Sequence, residues 1–270
     1  MKWGLICNYQ VKKACSTASK IYKFLKDNGE IFADKKTAEV LGVKGYELED
    51  INKKADIVVT AGGDGTVLRA LEKIDKPIFA VNSGGMGFLC EEESKYAKEG
   101  IQRVIDKDYN VEERAKLKVT VDGKRLPDAA NEITVQTARI AKIMYLQVFV
   151  ESELLETFGA DGVIVATPTG STSYSLSAGG PILDPAVDAM VIAPIAPFKL
   201  AARPWVVPLK KKVGIKLLHK SKESYIVIDG ESPEKITCDS EIIITGSEKK
   251  ARFVRFGESF YQMVRLKLVR

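Results

Sequence analysis

Histidine is almost missing from this 270-residue chain: His219 stands alone, in a charged turn. With one histidine and no GxSxG elbow, a Ser–His triad is excluded despite a serine-rich stretch late in the sequence. The four cysteines, Cys7, Cys15, Cys90 and Cys238, form no CxxC pair and no zinc-ligand spacing. They read as reduced, mostly buried thiols of a cytoplasmic protein, not as a disulfide framework or a metal centre. Long apolar runs are lacking too. The most tempting one, residues 189–198, is interrupted by Pro194 and Pro197, which excludes a membrane span there. The first residues, MKWGLIC, have neither the apolar region nor the cleavage site of a signal peptide and read as a first strand. Basic residues are scattered, with Lys210-Lys211-Lys212 as a short run, and the net charge of +5 is modest, so a nucleic-acid partner has no support. No internal repeat or low-complexity linker is present, and asparagine and glutamine are sparse beside lysine and glutamate, a bias toward heat-stable proteins.

What remains is a globular chain with ample core: 45% of residues are hydrophobic and the mean hydropathy is -0.06. Its length predicts two domains. From Trp3 to about Asp108 apolar runs alternate with amphipathic ones: a strand at Trp3–Cys7, a helix over 16–28 with Ile21, Phe24 and Leu25 on one face, strands at 57–61 and 77–81, then a polar helix carrying Tyr96, Ile101, Val104 and Ile105. Such alternation predicts a parallel, Rossmann-like α/β sheet covered by helices over residues 1–110. After Val111 short strand candidates follow one another at 117–121, 130–135, 145–150, 163–166, 213–218, 225–228 and 242–245, a β-rich second domain over 111–256. The tail, 257–270, has helical apolar spacing and is expected to pack back on the first domain.

The stretch Ile57-Val58-Val59-Thr60-Ala61-Gly62-Gly63-Asp64-Gly65-Thr66-Val67-Leu68 organises the rest. It reads as a buried strand, a glycine turn holding one carboxylate, and a helix capped by Thr66. Glycines let backbone N–H groups approach a ligand, and the helix end adds a positive dipole. A pure anion cradle would avoid a carboxylate, so Asp64 is expected to handle a hydroxyl proton or a metal ion; the plain alternative is a capping residue in a tight turn. A second glycine loop, Asn82-Ser83-Gly84-Gly85-Met86-Gly87-Phe88-Leu89, also follows a strand, and Phe88 lies either against a base or in the core. Asn131-Glu132 is either an acceptor pair for a sugar diol or base edge, or an exposed strand end. From Asp161-Gly162 a buried strand runs into TPTGSTSYSLSAGGPI (167–182), a loop dense in hydroxyls.

Taken together, GGDGT at Gly62–Thr66, the loop at Asn82–Leu89, Asn131-Glu132 and Asp161-Gly162 leading into TPTGSTSYSLSAGGPI resemble the NAD kinases, in order and spacing, over nearly the whole chain. GGDGT alone is shared with diacylglycerol and sphingosine kinases; the Asn-Glu pair and the hydroxyl run are far more specific. The resemblance implies transfer of the terminal phosphoryl group of ATP to the 2′-hydroxyl of the adenosine ribose of NAD, giving NADP. It also implies a phosphofructokinase-like α/β domain joined to a β-sandwich-like domain with the dinucleotide between them, a divalent metal (magnesium), and a homodimer or homotetramer.

Residue by residue, Asp64 matches the catalytic carboxylate, with Gly62, Gly63, Gly65 and Thr66 around the nucleotide and Phe88 nearby. Asn131 and Glu132 match the pair that binds NAD. Asp161 matches the acidic residue before the TPTGS strand, and Thr172, Ser173, Tyr174, Ser175 and Ser177 match the hydroxyl segment around the adenosine. Arg69 and Lys142 fall where members often carry a basic or histidine ligand. Glu231 stands where the family usually has glutamine or asparagine, and Ser173 where alanine is usual. Two rivals set the limits of the reading: a lipid kinase, which would need an amphipathic membrane anchor that the sequence does not show, and a non-enzymatic dinucleotide-binding regulator, which would not need Asp64.

Overall fold

Short β-branched runs bounded by glycine and proline do become strands. The computed structural model describes residues 1–268 apart from Met86, Ile140, Ala141, Leu200, residues 219–222 and Glu258; His219 therefore lies outside the described residues. The chain divides into two compact units, Met1–Glu113 with Ala251–Arg270, and Arg114–Lys250.

The first unit holds β1 (Lys2–Cys7), α1 (Lys12–Lys26), β2 (Glu30–Asp34), α2 (Lys35–Leu41), β3 (Gly45–Tyr46), α3 (Leu48–Lys54), β4 (Ile57–Gly62), α4 (Asp64–Leu71), β5 (Ile78–Asn82), β6 (Glu92–Glu93) and α5 (Ala97–Ile105). Strands β3, β2, β1, β4 and β5 lie side by side in that order, every pair parallel. The order reverses at β1, because β2 and β3 extend the sheet to one side and β4 and β5 to the other. A doubly wound sheet binds ligands outside its strands' carboxyl ends at such a reversal, which here means the loops after Cys7 and Gly62. Helix α1 buries Ala14, Ala18, Ile21 and Leu25, the i, i+4, i+7 stripe that a sheet-covering helix needs. It begins at Lys12, earlier than the expected residue 16. Trp3, Leu5, Val59, Phe79 and Val81 form the sheet's side of this core with Ile101 and Val104 of α5. Tyr96, expected in that helix, lies in the turn before it and is exposed.

The capping expectation at the central stretch needs correction. Helix α4 starts at Asp64 with Gly63 as N-cap, and Thr66 sits inside the first turn, its N–H donating to Gly63 O at 2.9 Å. Glycine at the cap lets the chain turn straight out of β4, so the helix forms before Thr66 is reached.

The second unit is built of β7 (Asn110–Val121, which enters from the first), β8 (Lys124–Arg125), β9 (Glu132–Thr137), β10 (Met144–Val150), β11 (Glu153–Ala160), β12 (Gly162–Ala166), a single turn α6 (Tyr174–Ser177), β13 (Ala189–Ile195), β14 (Trp205–Pro208), β15 (Val213–Leu217), β16 (Ser224–Ile228), β17 (Glu231–Ile236) and β18 (Ile242–Arg255, which from Ala251 on belongs to the first). A six-stranded antiparallel sheet runs β14-β13-β12-β9-β16-β17, and a second antiparallel group runs β11-β10-β15-β18, with β7 also on β18. Val163 and Val165 of β12, Ile133 and Val135 of β9, and Leu146 and Val148 of β10 share one core, as in a sandwich. Ile164 and Ala166 face the other way, onto Ala178 and Leu183. Strand β12 is thus covered on both faces, which accounts for its unbroken apolar run.

The proline-broken run at 189–198 turns out to contain β13. Pro194 falls beyond the last β13–β14 pair, Ile192 with Trp205, where a missing N–H breaks no ladder bond on that side. The tail forms α7 (Phe260–Leu268), and Ala251–Arg270 is part of the first unit. Among the described residues no helix is long and apolar enough to cross a membrane.

Candidate active site

In the first unit Asp64 stands at the sheet's reversal point, on the first turn of α4. Its Oδ2 accepts the Phe88 backbone N–H at 2.7 Å, and its Oδ1 accepts that of Leu89 at 3.1 Å. The two glycine loops are therefore joined through this carboxylate. The approach is so close that a Cβ on Gly87 would lie 2.4 Å from Oδ1. A carboxylate offers about four lone-pair sites, so beyond the two amides and the Cys90 thiol, acceptor capacity stays open for a hydroxyl or a metal-bound water. The backbone around it is equally tied: Ser83 N–H donates to Gly62 O at 2.8 Å, and Asn8 N–H to Ala61 O at 2.9 Å. Cys90 is buried against Gly62 O, and burial, followed by the charge of Asp64, pushes its thiol up to about 12. It remains a neutral thiol beside the carboxylate.

Arg69 extends from α4 to the end of β1, donating to Cys7 O at 2.9 Å and pairing with Asp34 at 3.5 Å. It braces the reversal point. Phe88 is half-buried, with the Lys267 ammonium 5.2 Å from its ring centre. The Lys13 side chain comes within 3.9 Å of where a Cβ on Gly84 would be, which brings a cation to the rim of the second glycine loop.

In the second unit the organising residue is one that the motif reading passed over. Asp229 occupies a hairpin turn with Gly230, both at positive φ (49° and 78°), as the Asp-Gly pair favours. Its buried carboxylate accepts three successive backbone N–H groups: Ala130 at 2.7 Å, Asn131 at 2.8 Å and Glu132 at 3.0 Å. Burial raises its pKa, and these N–H groups pull it back. Asn131-Glu132 is accordingly no exposed strand end; each residue is only 7% exposed. The TPTG turn closes over the pair. Thr167 donates its N–H to Asn131 O at 2.8 Å and its hydroxyl to Ala130 O at 2.6 Å, and a Cβ on Gly170 would sit 2.2 Å from Asn131 O. Only glycine fits there.

Glu132 Oε1 accepts the Ser173 hydroxyl at 3.3 Å. Its pKa rises to about 7, first from burial and then from the charge of Asp229, while Ser173 and the Tyr174 backbone N–H act against the rise. Glu132 Oε2, Asn131 Oδ1, Thr169 Oγ1 and Ser175 Oγ are buried without a hydrogen-bond partner. A native protein has few such atoms, and each costs roughly 1–3 kcal/mol. These four lie along neighbouring turns of the second unit. Thr172 is occupied with Thr169 O at 3.2 Å, while Tyr174 and Ser177 are exposed.

Two expected residues stand apart from this group, and a third is exposed in the hairpin that carries Asp229. Asp161 precedes β12 at the end that pairs with Gln136, whereas Glu132 pairs with Ala166 at the other end. Lys142 is exposed just ahead of Met144, whose strand partner is Ala160. Glu231 opens β17 opposite Ile228 with its side chain exposed.

Each unit thus carries a polar group of its own: in the first, a carboxylate held by two backbone amides at the reversal point of a parallel sheet, and in the second, buried amide, carboxylate and hydroxyl atoms around Asn131-Glu132. Comparison with known proteins names the family. Residues 3–109 match the ATP-NAD kinase N-terminal domain and residues 130–256 the ATP-NAD kinase C-terminal domain. The NAD kinase of Methanothermobacter thermautotrophicus is 43% identical over 100% of this chain and 96% of its own. The crystal structure of an NAD kinase from Archaeoglobus fulgidus in complex with ATP aligns with a TM-score of 0.82 at 28% identity, covering 98% of this chain and 99% of that one. Yeast NADH kinase complexed with NADH shares the fold, with a TM-score of 0.90 at 24% identity over 100% of this chain and 87% of its own. The chain belongs to the NAD kinase family. Its reaction moves the terminal phosphoryl group of ATP to the 2′-hydroxyl of the adenosine ribose of NAD, giving NADP.

Proposed function

We propose that Asp64 receives or orients the 2′-hydroxyl of NAD, and that Asn131, Glu132, Thr169, Ser173 and Ser175 hold the dinucleotide. The observation that carries the first role is the pair of backbone N–H groups on Asp64. They fix the carboxylate's plane and leave lone pairs for the acceptor hydroxyl. Phosphoryl transfer asks mainly for positioning and charge stabilisation, so a pre-aimed base is a large part of what the protein supplies. The carrying observation for the second role is the set of unpartnered buried polar atoms. Ribose hydroxyls and an adenine edge donate and accept in the way these atoms need, and an ionised Glu132 is a strong acceptor for a diol.

Magnesium is the metal this reading implies. Among the described residues no three His, Cys, Asp or Glu side chains converge as a cage. Asp64, with acceptor capacity left beside its two backbone amides, is the carboxylate that would hold such an ion. When bound, it would neutralise charge on the transferring group. Gly62, Gly63, Gly65 and Thr66 give the donor phosphates an approach free of bulk, and Lys13 a nearby charge.

The same reading makes the protein a cytoplasmic homo-oligomer. Phe198 is 79% exposed, and Tyr145, Leu154, Trp205 and Val206 of the second unit are also exposed. Several meet around β11: Phe198 N–H donates to Gly159 O at 2.8 Å, Trp205 Nε1 donates to Glu156 at 3.3 Å, and Tyr145 pairs with Gly159. Exposed aromatics gathered around one strand suit a second copy of the chain.

The test is turnover of Asp64→Asn with ATP, magnesium and NAD, reading NADP with an NADP-specific dehydrogenase. General-base assistance is worth roughly 10²- to 10⁴-fold, and kcat should fall by about that much while NAD affinity changes far less. A folded variant within a few-fold of wild type would make Asp64 a turn residue.

A further inference from the structure

The loop that aims Asp64 is rich in glycine. Gly84 and Gly85 both sit at positive φ (145° and 87°), and the Asn82 side chain ties them, accepting the Gly84 N–H at 2.9 Å and donating to Gly85 O at 3.0 Å. Beyond Gly85 the loop is also held by the end of the chain. Lys267, on the last turn of α7, donates its ammonium to Gly87 O and lies over the Phe88 ring, with Nζ 4.0 Å from Met263 Sδ. A few residues on, Arg255 donates to Leu89 O at 3.2 Å and pairs with Glu91 at 2.8 Å, and Phe256 N–H donates to Glu91 Oε1 at 2.6 Å.

The Gly87 carbonyl and the Phe88 N–H belong to one planar peptide, and in the trans form they point opposite ways. Lys267 grips one side of that plane, and the other side donates to Asp64 Oδ2 at 2.7 Å. A cation on the carbonyl also polarises the peptide and strengthens its N–H as a donor.

We propose that Lys267 is a positioning residue for phosphoryl transfer: acting through the Gly87–Phe88 peptide, it fixes the orientation of the Asp64 carboxylate. The inference rests on the reading of Asp64 as the group that engages the acceptor hydroxyl. Arg255, buried with Glu91, anchors the loop's far end, and Lys267 sets the peptide that matters for aim.

The experiment is a double-mutant cycle on the full chain with Lys267→Met, Lys267→Arg, Asp64→Asn and the Lys267→Met/Asp64→Asn pair, reading kcat, both KM values and Tm. Methionine keeps the stem over Phe88 without the charge, so kcat should fall about tenfold with KM for ATP and NAD within about twofold. Arginine keeps a cationic donor and should return kcat to within about threefold of wild type. In the Asp64→Asn background Lys267→Met should cost less than about twofold, because no carboxylate is left to aim. Full turnover in Lys267→Met, additive losses in the pair, or an arginine variant as impaired as the methionine one would each overturn the proposal while leaving the role of Asp64 intact. An Asp64→Asn protein with full turnover overturns both. Should Lys267→Met lower Tm enough to blur its kinetics, Lys267→Gln, polar and uncharged, takes its place in the cycle under the same criteria.

Discussion

Phe88 gives its backbone N–H to Asp64 Oδ2 across a separation of 24 residues, and Leu89 gives its own to Oδ1. The carboxylate of the first glycine loop is thus oriented by the second, which makes the pair of loops one device.

Gly87→Ala tests that device without touching Asp64. The new methyl would lie 2.4 Å from Oδ1 and push the carboxylate off its amides. Misplacement on the ångström scale costs about 10²-fold, so kcat should drop by about that factor while NAD affinity holds. Kinetics with calorimetric NAD titration would decide it; an undiminished kcat would show that the aim of Asp64 is immaterial.

Glu132 links function to stability through pH. Its pKa in the fold is about 7, above the ordinary 4.5. Below the lower value both folded and unfolded chains carry the proton and nothing is lost. As pH rises from 4.5 to 7 the unfolded chain releases its proton first, so stability declines, and above 7 the full loss, on the order of 3 kcal/mol, remains. Glu132→Gln should therefore raise Tm at pH 8 and change it little at pH 4.5. The same variant should weaken NAD binding at pH 8 by about tenfold or more, the value of a charge-assisted bond to a hydroxyl, and less at pH 6, where wild-type Glu132 is itself largely neutral. Paired melting and NAD titrations at the two ends of the range provide the readout.

Asp229→Ala removes the acceptor of three backbone N–H groups and should cost several kcal/mol, about 1–3 for each donor left buried. Asp229→Asn retains part of the set and removes the charge, so Glu132 should titrate lower than in wild type. KM for NAD should rise in both variants, more in alanine. An alanine variant with wild-type KM and Tm would refute the role given to Asp229.

Phe198→Asp with Trp205→Glu places charge on the exposed aromatics around β11. Light scattering of the wild type should give a multiple of the 29.7 kDa chain mass, and the double variant a single chain. Wild-type protein at 29.7 kDa would count against assembly.

Much of this was legible in the residues. The alternation of apolar runs gave the parallel sheet, because a strand buried on both faces must be continuously apolar and its covering helix must repeat at 3.6. The glycines around Asp64 and the hydroxyls after Thr167 pointed at the two functional regions, since both are local patterns. Short or proline-bearing segments such as β3, β13 and β14 do not read as strands on their own because they are fixed by neighbours far along the chain rather than by their own periodicity.

The sequence by itself determined the kinds of groups available: a carboxylate among glycines, an amide beside a carboxylate, a run of hydroxyls, and a family pattern joining them. Only tertiary structure decided what those groups experience. Asp229 becomes the support of Asn131-Glu132 because β16 lies beside β9. Burial, which no local pattern encodes, raises Glu132 to about 7. Lys267 reaches Gly87 from 180 residues away because α7 returns to the first unit. Residue type is local information, whereas hydrogen-bond direction and desolvation depend on which distant segments the core brings together.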